Sequence, residues 1–231
     1  MRHDNAHRAF KDRLYGQFAR IGKALASPHR LEILELLAQG ERTVESLAGE
    51  IGLSVANTSQ HLQGLREAGL VESRKQGLYV HYRLADESVV ALSSAIRLVA
   101  ERRLAELDRL VRDHFTSRAD AEAVAMGDLL KRARSGSVVI LDTRPASEYV
   151  AGHIAGAISV PVDELQARLG KLPKNKEYVA YCRGPYCVYA DRAVELLRKS
   201  GRKAKRMLDG YPEWKVAGHP IETHAGEGVE R

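Results

Sequence analysis

The sequence predicts two domains of unlike class: a mainly α N-terminal domain closed by a β-hairpin, and an α/β C-terminal domain built on a parallel sheet. Three observations carry this. The chain has 231 residues, too many for one small domain and suited to two of roughly 100 residues each. From about Phe10 to Phe115 the apolar residues recur at helical spacing, broken by one pair of strand-like runs. From Ala123 onward, short apolar runs alternate with helical segments. Between the two patterns, residues 116–122 are short, polar and rich in small side chains, and read as a linker.

Composition excludes little. Charged residues make up 29% and hydrophobic residues 44%, ordinary values for a globular chain. Either half can bury a core without a metal or disulfide staple. The net charge of +6 and pI near 9.3 permit nucleic-acid contact without locating it. The opening MRHDNAHRAF places charges where a signal peptide has its apolar stretch, and no segment reaches the roughly 18 apolar residues of a membrane span. A cytoplasmic location is expected, with no membrane partner.

The N-terminal elements follow in order. Ser27 and Pro28 read as an N-cap and a first helical residue, and Leu31, Leu34 and Leu37 give the apolar face that Gly40 ends. A short helix is expected near Thr43 to Glu50, with Val44, Leu47 and Ala48 inward. After Gly52, Ser54 caps a third helix to about Ala68, with Val55, Leu62 and Leu65 on one face and Asn57, Gln60, His61 and Gln63 outward. Two strands, Leu70–Arg74 and Leu78–Arg83, flank Lys75-Gln76-Gly77. Helix, turn, helix and a basic-tipped hairpin make a winged helix. Small polar residues at a helix N-terminus can hydrogen-bond base edges in the major groove. Ser54, Asn57, Thr58, Gln60 and His61 are the candidates, and Arg74 and Lys75 on the wing would contact phosphates. Beyond the wing, Val89, Leu92, Ile96, Val99, Leu104, Leu107 and Val111 predict one long amphipathic helix, on the order of 40 Å at about 1.5 Å per residue.

This half resembles the ArsR (arsenic-repressor type) family over about Phe10 to Phe115. The best signatures are Ser59-Gln60-His61-Leu62, Leu65-Arg66-Glu67-Ala68-Gly69-Leu70-Val71 and the wing Gly77-Leu78-Tyr79-Val80-His81-Tyr82-Arg83-Leu84. The resemblance implies a homodimer in which the long helix packs with the N-terminal helix (about His7 to Ala26), and hence a double-stranded operator with an inverted repeat. It also implies a repressor. The family's metal-binding residues are missing: one site reads Glu41-Arg42-Thr43-Val44-Glu45, and the last helix opens Asp86-Glu87-Ser88 with no histidine before His114. Soft-metal sensing needs Cys or His ligands, so no metal and no cofactor are expected.

The C-terminal elements are a helix near Ala123 to Arg134, a strand Val138–Leu141, a helix Ala146–Ala151 and a strand Ala157–Val160. A helix Val162–Leu169, a strand Tyr178–Tyr181, a helix Val188–Ser200 and a strand Ala204–Leu208 complete them. Ligand sites in such sheets lie beyond the carboxyl ends of the strands, and Cys182 stands between a strand and a helix. The chain has two cysteines, Cys182 and Cys187, in one loop. In a reducing compartment they suit chemistry better than a structural disulfide.

Three segments resemble the rhodanese family: Leu141-Asp142-Thr143-Arg144 with Glu148-Tyr149 and Gly152-His153-Ile154, the strand end Tyr181-Cys182-Arg183, and Asp209-Gly210-Tyr211-Pro212-Glu213-Trp214. The match spans about Ala123 to Glu222 and implies a rhodanese-like domain to about residue 226. It makes Cys182 the nucleophile that takes a sulfane sulfur as a persulfide, its pKa lowered at a helix N-terminus, with Arg183 adding positive charge. Asp142, Arg144 and His153 are expected to be structural and Trp214 to lie in the core. The commoner rhodanese loop has glycine three and arginine five residues after the cysteine. Here Pro185 and Cys187 occupy those places, which offers a second thiol to resolve a Cys182 persulfide if the Cα atoms lie within about 7 Å. The leading expectation is a DNA-binding regulator that senses reactive sulfur through Cys182 and Cys187. The alternatives are a thiosulfate or polysulfide sulfurtransferase tethered to DNA, and an oxyanion enzyme on the same fold.

Overall fold

The computed structural model describes residues 2–115 and 123–223. By its contacts the chain divides into two compact units, residues 1–89 and 90–231. The segment read as a linker, 116–122, lies outside the described residues, as does the end of the second domain beyond 223.

The first unit runs α1 (Arg2–Leu25), α2 (Pro28–Leu37), β1 (Arg42–Thr43), α3 (Val44–Ile51), α4 (Val55–Glu67), β2 (Val71–Gln76) and β3 (Tyr79–Leu84). Ser27 holds the extended backbone of an N-cap before Pro28, but its side chain makes no cap bond. Thr43 and Ser54 do cap, accepting from the N–H groups of Ser46 and Asn57. Ile33, Leu34, Leu36 and Leu37 of α2 are all buried, because α1, α3 and α4 pack around that helix. Antiparallel pairing continues through Lys75–Val80 and Gln76–Tyr79. The hairpin therefore turns at Gly77-Leu78, one step beyond the tip that the sequence suggests, with Gly77 at a positive φ of 60°.

On α4 the inner face differs from expectation. Thr58 is fully buried with Leu62 and Leu65, while Val55 is 46% exposed. Residues 58, 62 and 65 are spaced four and three apart, a regular helix face. Thr58 satisfies its hydroxyl locally, by donating to the Ser54 carbonyl at 3.0 Å, and so can occupy a core position.

The second unit begins within α5 (Ser88–Arg103), followed by α6 (Ala105–His114). The single long helix read from the sequence is broken at Leu104, whose backbone is extended at φ −109°, ψ 95°. Then come β4 (Ala123–Val124), α7 (Met126–Arg134), β5 (Val138–Asp142), α8 (Ala146–Ala151), β6 (His153–Ile154), β7 (Ile158–Ser159), α9 (Val162–Arg168), β8 (Glu177–Tyr181), α10 (Val188–Lys199), β9 (Lys203–Met207), α11 (Tyr211–Val216) and β10 (Ile221–Glu222). The start read as helix at Ala123 is a two-residue strand that pairs with Arg206 and Met207. The five-stranded sheet has the order β4-β9-β8-β5-β7, all parallel. Side chains alternate along β8. Tyr178 and Ala180, with Cys182 following, enter the core shared with α9 and α10, and Val179 and Tyr181 enter the one shared with Leu129 and Trp214. Both faces are covered, as continuous apolar strands require.

The α4 assignment is testable by urea unfolding of the full chain. Thr58→Ala is expected to lower stability by about 1–2 kcal/mol, through a lost buried hydrogen bond and a small void. Val55→Ala is expected to stay within about 0.5 kcal/mol.

Candidate functional site

Cys182 follows the last residue of β8, and Cys187 is the N-cap of α10. The loop between them is Arg183-Gly184-Pro185-Tyr186, and the two sulfurs are joined as a disulfide with Cα atoms 6.2 Å apart. Cys182 is 2% exposed, whereas Cys187 is only partly buried against the α9–α10 core. The Cys187 N–H turns back to the Gly184 carbonyl at 3.2 Å, so the loop closes on itself just before the helix.

Neighbouring segments hold this loop from below. The Tyr211 N–H donates to the Cys182 carbonyl at 3.1 Å. Gly210 lies so close that a Cβ there would stand 2.3 Å from the Arg183 carbonyl oxygen, so any other residue would force the loop outward. Arg183 is expected from the sequence to add positive charge at Cys182. Instead its guanidinium turns to Glu148, with Nε 2.9 Å from Oε1, and the side chains are 12% and 3% exposed. A buried carboxylate thus neutralises that cation, and Arg183 serves to pin the loop to α8. Glu148 stands in the motif with Tyr149, Gly152 and His153, and its partner lies 35 residues away, beyond the reach of any local pattern.

Under the strand ends, Asp142 and Arg144 form an ion pair with no exposed side-chain surface, Nη2 to Oδ2 at 2.6 Å. Arg144 also donates to the Gly152 carbonyl at 2.7 Å and lies over the Tyr211 ring at 4.3 Å. The Tyr181 hydroxyl donates to Asp142 and accepts from the Ile154 N–H. Burial pushes the Tyr181 hydroxyl well above its ordinary pKa, with the Asp142 charge adding to the effect. His153 places Nδ1 2.8 Å from the Tyr149 carbonyl and stacks on that tyrosine's ring. Trp214 is buried and donates its indole N–H to the Pro220 carbonyl. These side chains link strand ends to neighbouring loops.

In the first unit, Asn57 and Gln60 are exposed on α4. Ser54 is exposed too, but its hydroxyl caps the helix by accepting the Asn57 N–H at 3.3 Å. Thr58 is a correction: with no exposed surface and its hydroxyl bonded to Ser54, it cannot face DNA. His61 is half-buried, its ring centroid 5.5 Å from that of His29. Burial first, then the charges of Arg30 and His29, lower its pKa. Lys75 is exposed within the β2 ladder. Arg74 is engaged by Glu41, with Nε 2.8 Å from Oε2, and by Gln76, so a phosphate must compete with that carboxylate. The Arg74 hydrogen bond holds the Glu41 carboxyl below its usual range. The clasp is therefore fully present above the ordinary carboxylate pKa and is lost as pH falls through the lowered value.

Asp142→Asn is expected to destabilise the full chain by about 3–5 kcal/mol, because it leaves a buried guanidinium without its carboxylate. The double change Asp142→Leu with Arg144→Met is expected to cost less than that single change, as read from urea midpoints.

The profile of the bacterial regulatory protein, arsR family, matches residues 27–73, and that of the rhodanese-like domain matches residues 125–217. The HTH-type transcriptional regulator Rv0324 of Mycobacterium tuberculosis is 45% identical over 94% of this chain and 96% of its own length. A solution structure of a homodimeric winged helix-turn-helix DNA-binding domain from Mycobacterium bovis is 46% identical, covering 42% of this chain and 89% of that one, with a TM-score of 0.39. A rhodanese-related protein from Thermoplasma volcanium is 26% identical, covering 44% of this chain and 97% of that one, with a TM-score of 0.40. The near full-length likeness to the first of these, with a helix-turn-helix profile ahead of a rhodanese profile, places the chain in the ArsR family of HTH-type transcriptional regulators, in a form that carries a rhodanese-like domain.

Proposed function

We propose that this regulator binds an inverted-repeat operator as a homodimer and repressor, and that reactive sulfur reaching Cys182 and Cys187 changes its affinity for DNA. The observation that carries the reading is the pair itself: the chain's two cysteines face each other across one loop at bonding distance. Asn57, Gln60 and His61 are the proposed base-edge contacts, with Lys75 and, once freed from Glu41, Arg74 on phosphates. Support for the dimer comes from α1, where Phe10 and Phe18 are 60% and 59% exposed, and from the M. bovis domain described as homodimeric.

The chemistry balances with a persulfide donor, R–S–SH. The Cys182 thiolate attacks the outer sulfur, forming Cys182–S–SH and releasing R–S⁻ with the electron pair of the broken S–S bond. The Cys187 thiolate then attacks Cys182 Sγ, closing the disulfide and releasing HS⁻. Two thiolates are oxidised and one sulfane sulfur is reduced to sulfide. In the return direction the better exposed Cys187 is the sulfur that an external thiol reaches, and Cys182 leaves.

Binding of the full-length chain to DNA selected from a random-sequence pool tests the switch at fixed salt. Polysulfide treatment is expected to weaken wild-type binding by at least tenfold and to leave Cys182→Ser unchanged; equal affinity before and after treatment in the wild type would refute the sensor. Mass spectrometry is expected to find an internal disulfide in the treated wild type and, in Cys187→Ser, a persulfide with a single added sulfur on Cys182. Brief exposure of the oxidised chain to a thiol near neutral pH, followed by an acid quench that protonates the released Cys182, is expected to trap the mixed disulfide on Cys187. Steady sulfur transfer to an acceptor without any change in DNA affinity would instead favour a sulfurtransferase.

A further inference from the structure

Helix α5 begins with Ser88 and Val89 in the first unit and continues into the second. Val89 is its one buried residue, so the rest of the helix is not anchored by a hydrophobic core. Its contact with the cysteine loop is polar instead. The Tyr186 hydroxyl donates to Glu101 Oε1 at 2.7 Å. Arg97 Nη1 holds the same carboxylate oxygen at 3.2 Å, and Arg97 Nη2 reaches Glu213 at 3.4 Å and Asp209 at 3.9 Å. An open groove of about 530 Å³ lies between, lined by Ser94, Ala95 and Leu98 of α5 and by Pro185, Tyr186 and Leu208 opposite. The helix is therefore held across a gap by a few bonds.

Those bonds end on both sides of the cysteine pair. Tyr186 immediately precedes Cys187. On the other side, the Glu213 carboxylate accepts from the Gly210 N–H at 3.1 Å, and Gly210 lies against the Arg183–Gly184 peptide. The next residue, Tyr211, bonds the Cys182 carbonyl. Opening the disulfide frees the Cys187 side chain from Cys182, and Tyr186 is the neighbouring residue of that loop.

We propose that Glu101 and Arg97 of α5, acting through Tyr186, are positioning residues for the Cys182–Cys187 couple: they hold the loop in the geometry of the disulfide, and in return the state of the couple decides whether α5 is clasped. The inference rests on the reading of the pair as a working redox couple. Coupling of this kind is reciprocal. A clasp that favours the disulfide makes it harder to reduce, and reduction loosens the clasp. The helix so released is the one whose first residues belong to the unit that carries the winged helix.

The midpoint potential of the full-length chain in glutathione buffers tests this. Tyr186→Phe, which removes only the hydroxyl, is expected to lower the disulfide-to-dithiol ratio at a given buffer about tenfold, a rise of about 30 mV. Glu101→Leu is expected to give the same shift, and Glu101→Gln, which keeps an acceptor for the hydroxyl, a smaller one. The double variant Tyr186→Phe with Glu101→Leu should shift no further than either single change, because both remove one interaction. Unchanged potentials, or shifts that add in the double variant, would overturn the proposal. The two readings can fail separately. If DNA affinity is the same for oxidised and reduced wild type, the sensor reading falls, while a shared, non-additive shift in potential still supports the clasp. If DNA affinity responds to oxidation but the potentials do not move, the clasp falls alone.

Discussion

Asp142 and Arg144 carry opposite charges with no exposed side-chain surface, and the carboxyl edge of the sheet is organised around them. Burying two ions is costly unless their remaining donors and acceptors are satisfied. Here the aspartate also accepts from Tyr181, and the arginine reaches the Gly152 carbonyl and the Tyr211 ring. One pair thus joins the end of β5, the end of α8, the last residue of β8 and the start of α11. Cys182 is the residue after Tyr181, and Tyr211 bonds its carbonyl. The position of the cysteine loop follows from the ion pair at one remove.

In each unit, charges that look available in the sequence are committed. Arg183 is held by Glu148 and Arg74 by Glu41. From the sequence both arginines are expected to supply positive potential, one at a thiolate and one at a phosphate. A guanidinium that already holds a carboxylate offers little net charge to a third group and more geometric definition. At the cysteine loop this shifts the chemistry away from electrostatic activation by a neighbouring arginine and toward the second thiol. At the wing it makes Arg74 conditional on displacing Glu41, beside the exposed Lys75.

The elements differ in how they are secured. Helices α2, α3 and α4 and the sheet of the second unit are fixed by buried apolar faces. Helix α5 has one buried residue, and α6 has none among its ten. In the single chain these helices leave Ile96, Leu98, Val99 and Leu104 exposed, apolar surface that the proposed homodimer would cover. The hydrogen bonds of α5 to Tyr186 and Glu213 and its ion pair with Asp209 lie at the cysteine loop rather than in a core.

The sequence by itself determined the division into a helical half and an alternating half, the helix-turn-helix with its hairpin, the parallel sheet and the placing of Cys182 at a strand end. Those features rest on local periodicity, on Gly and Pro punctuation and on motifs longer than a few residues. Periodicity failed where elements are shortest or where residue type misleads. The two-residue strands at Ala123 and Ile221 have no period to read, Thr58 looks polar but bonds its own turn, and Leu104 fits the apolar repeat that its backbone interrupts. Only the tertiary structure decided the pairings. Glu148 lies 35 residues from Arg183 and Glu101 lies 85 from Tyr186, separations across which no local pattern couples one side chain to another. The two thiols were visible as neighbours in the chain, but their meeting at 6.2 Å depends on a strand end and a helix start that the sheet, its two cores and the buried ion pair bring together.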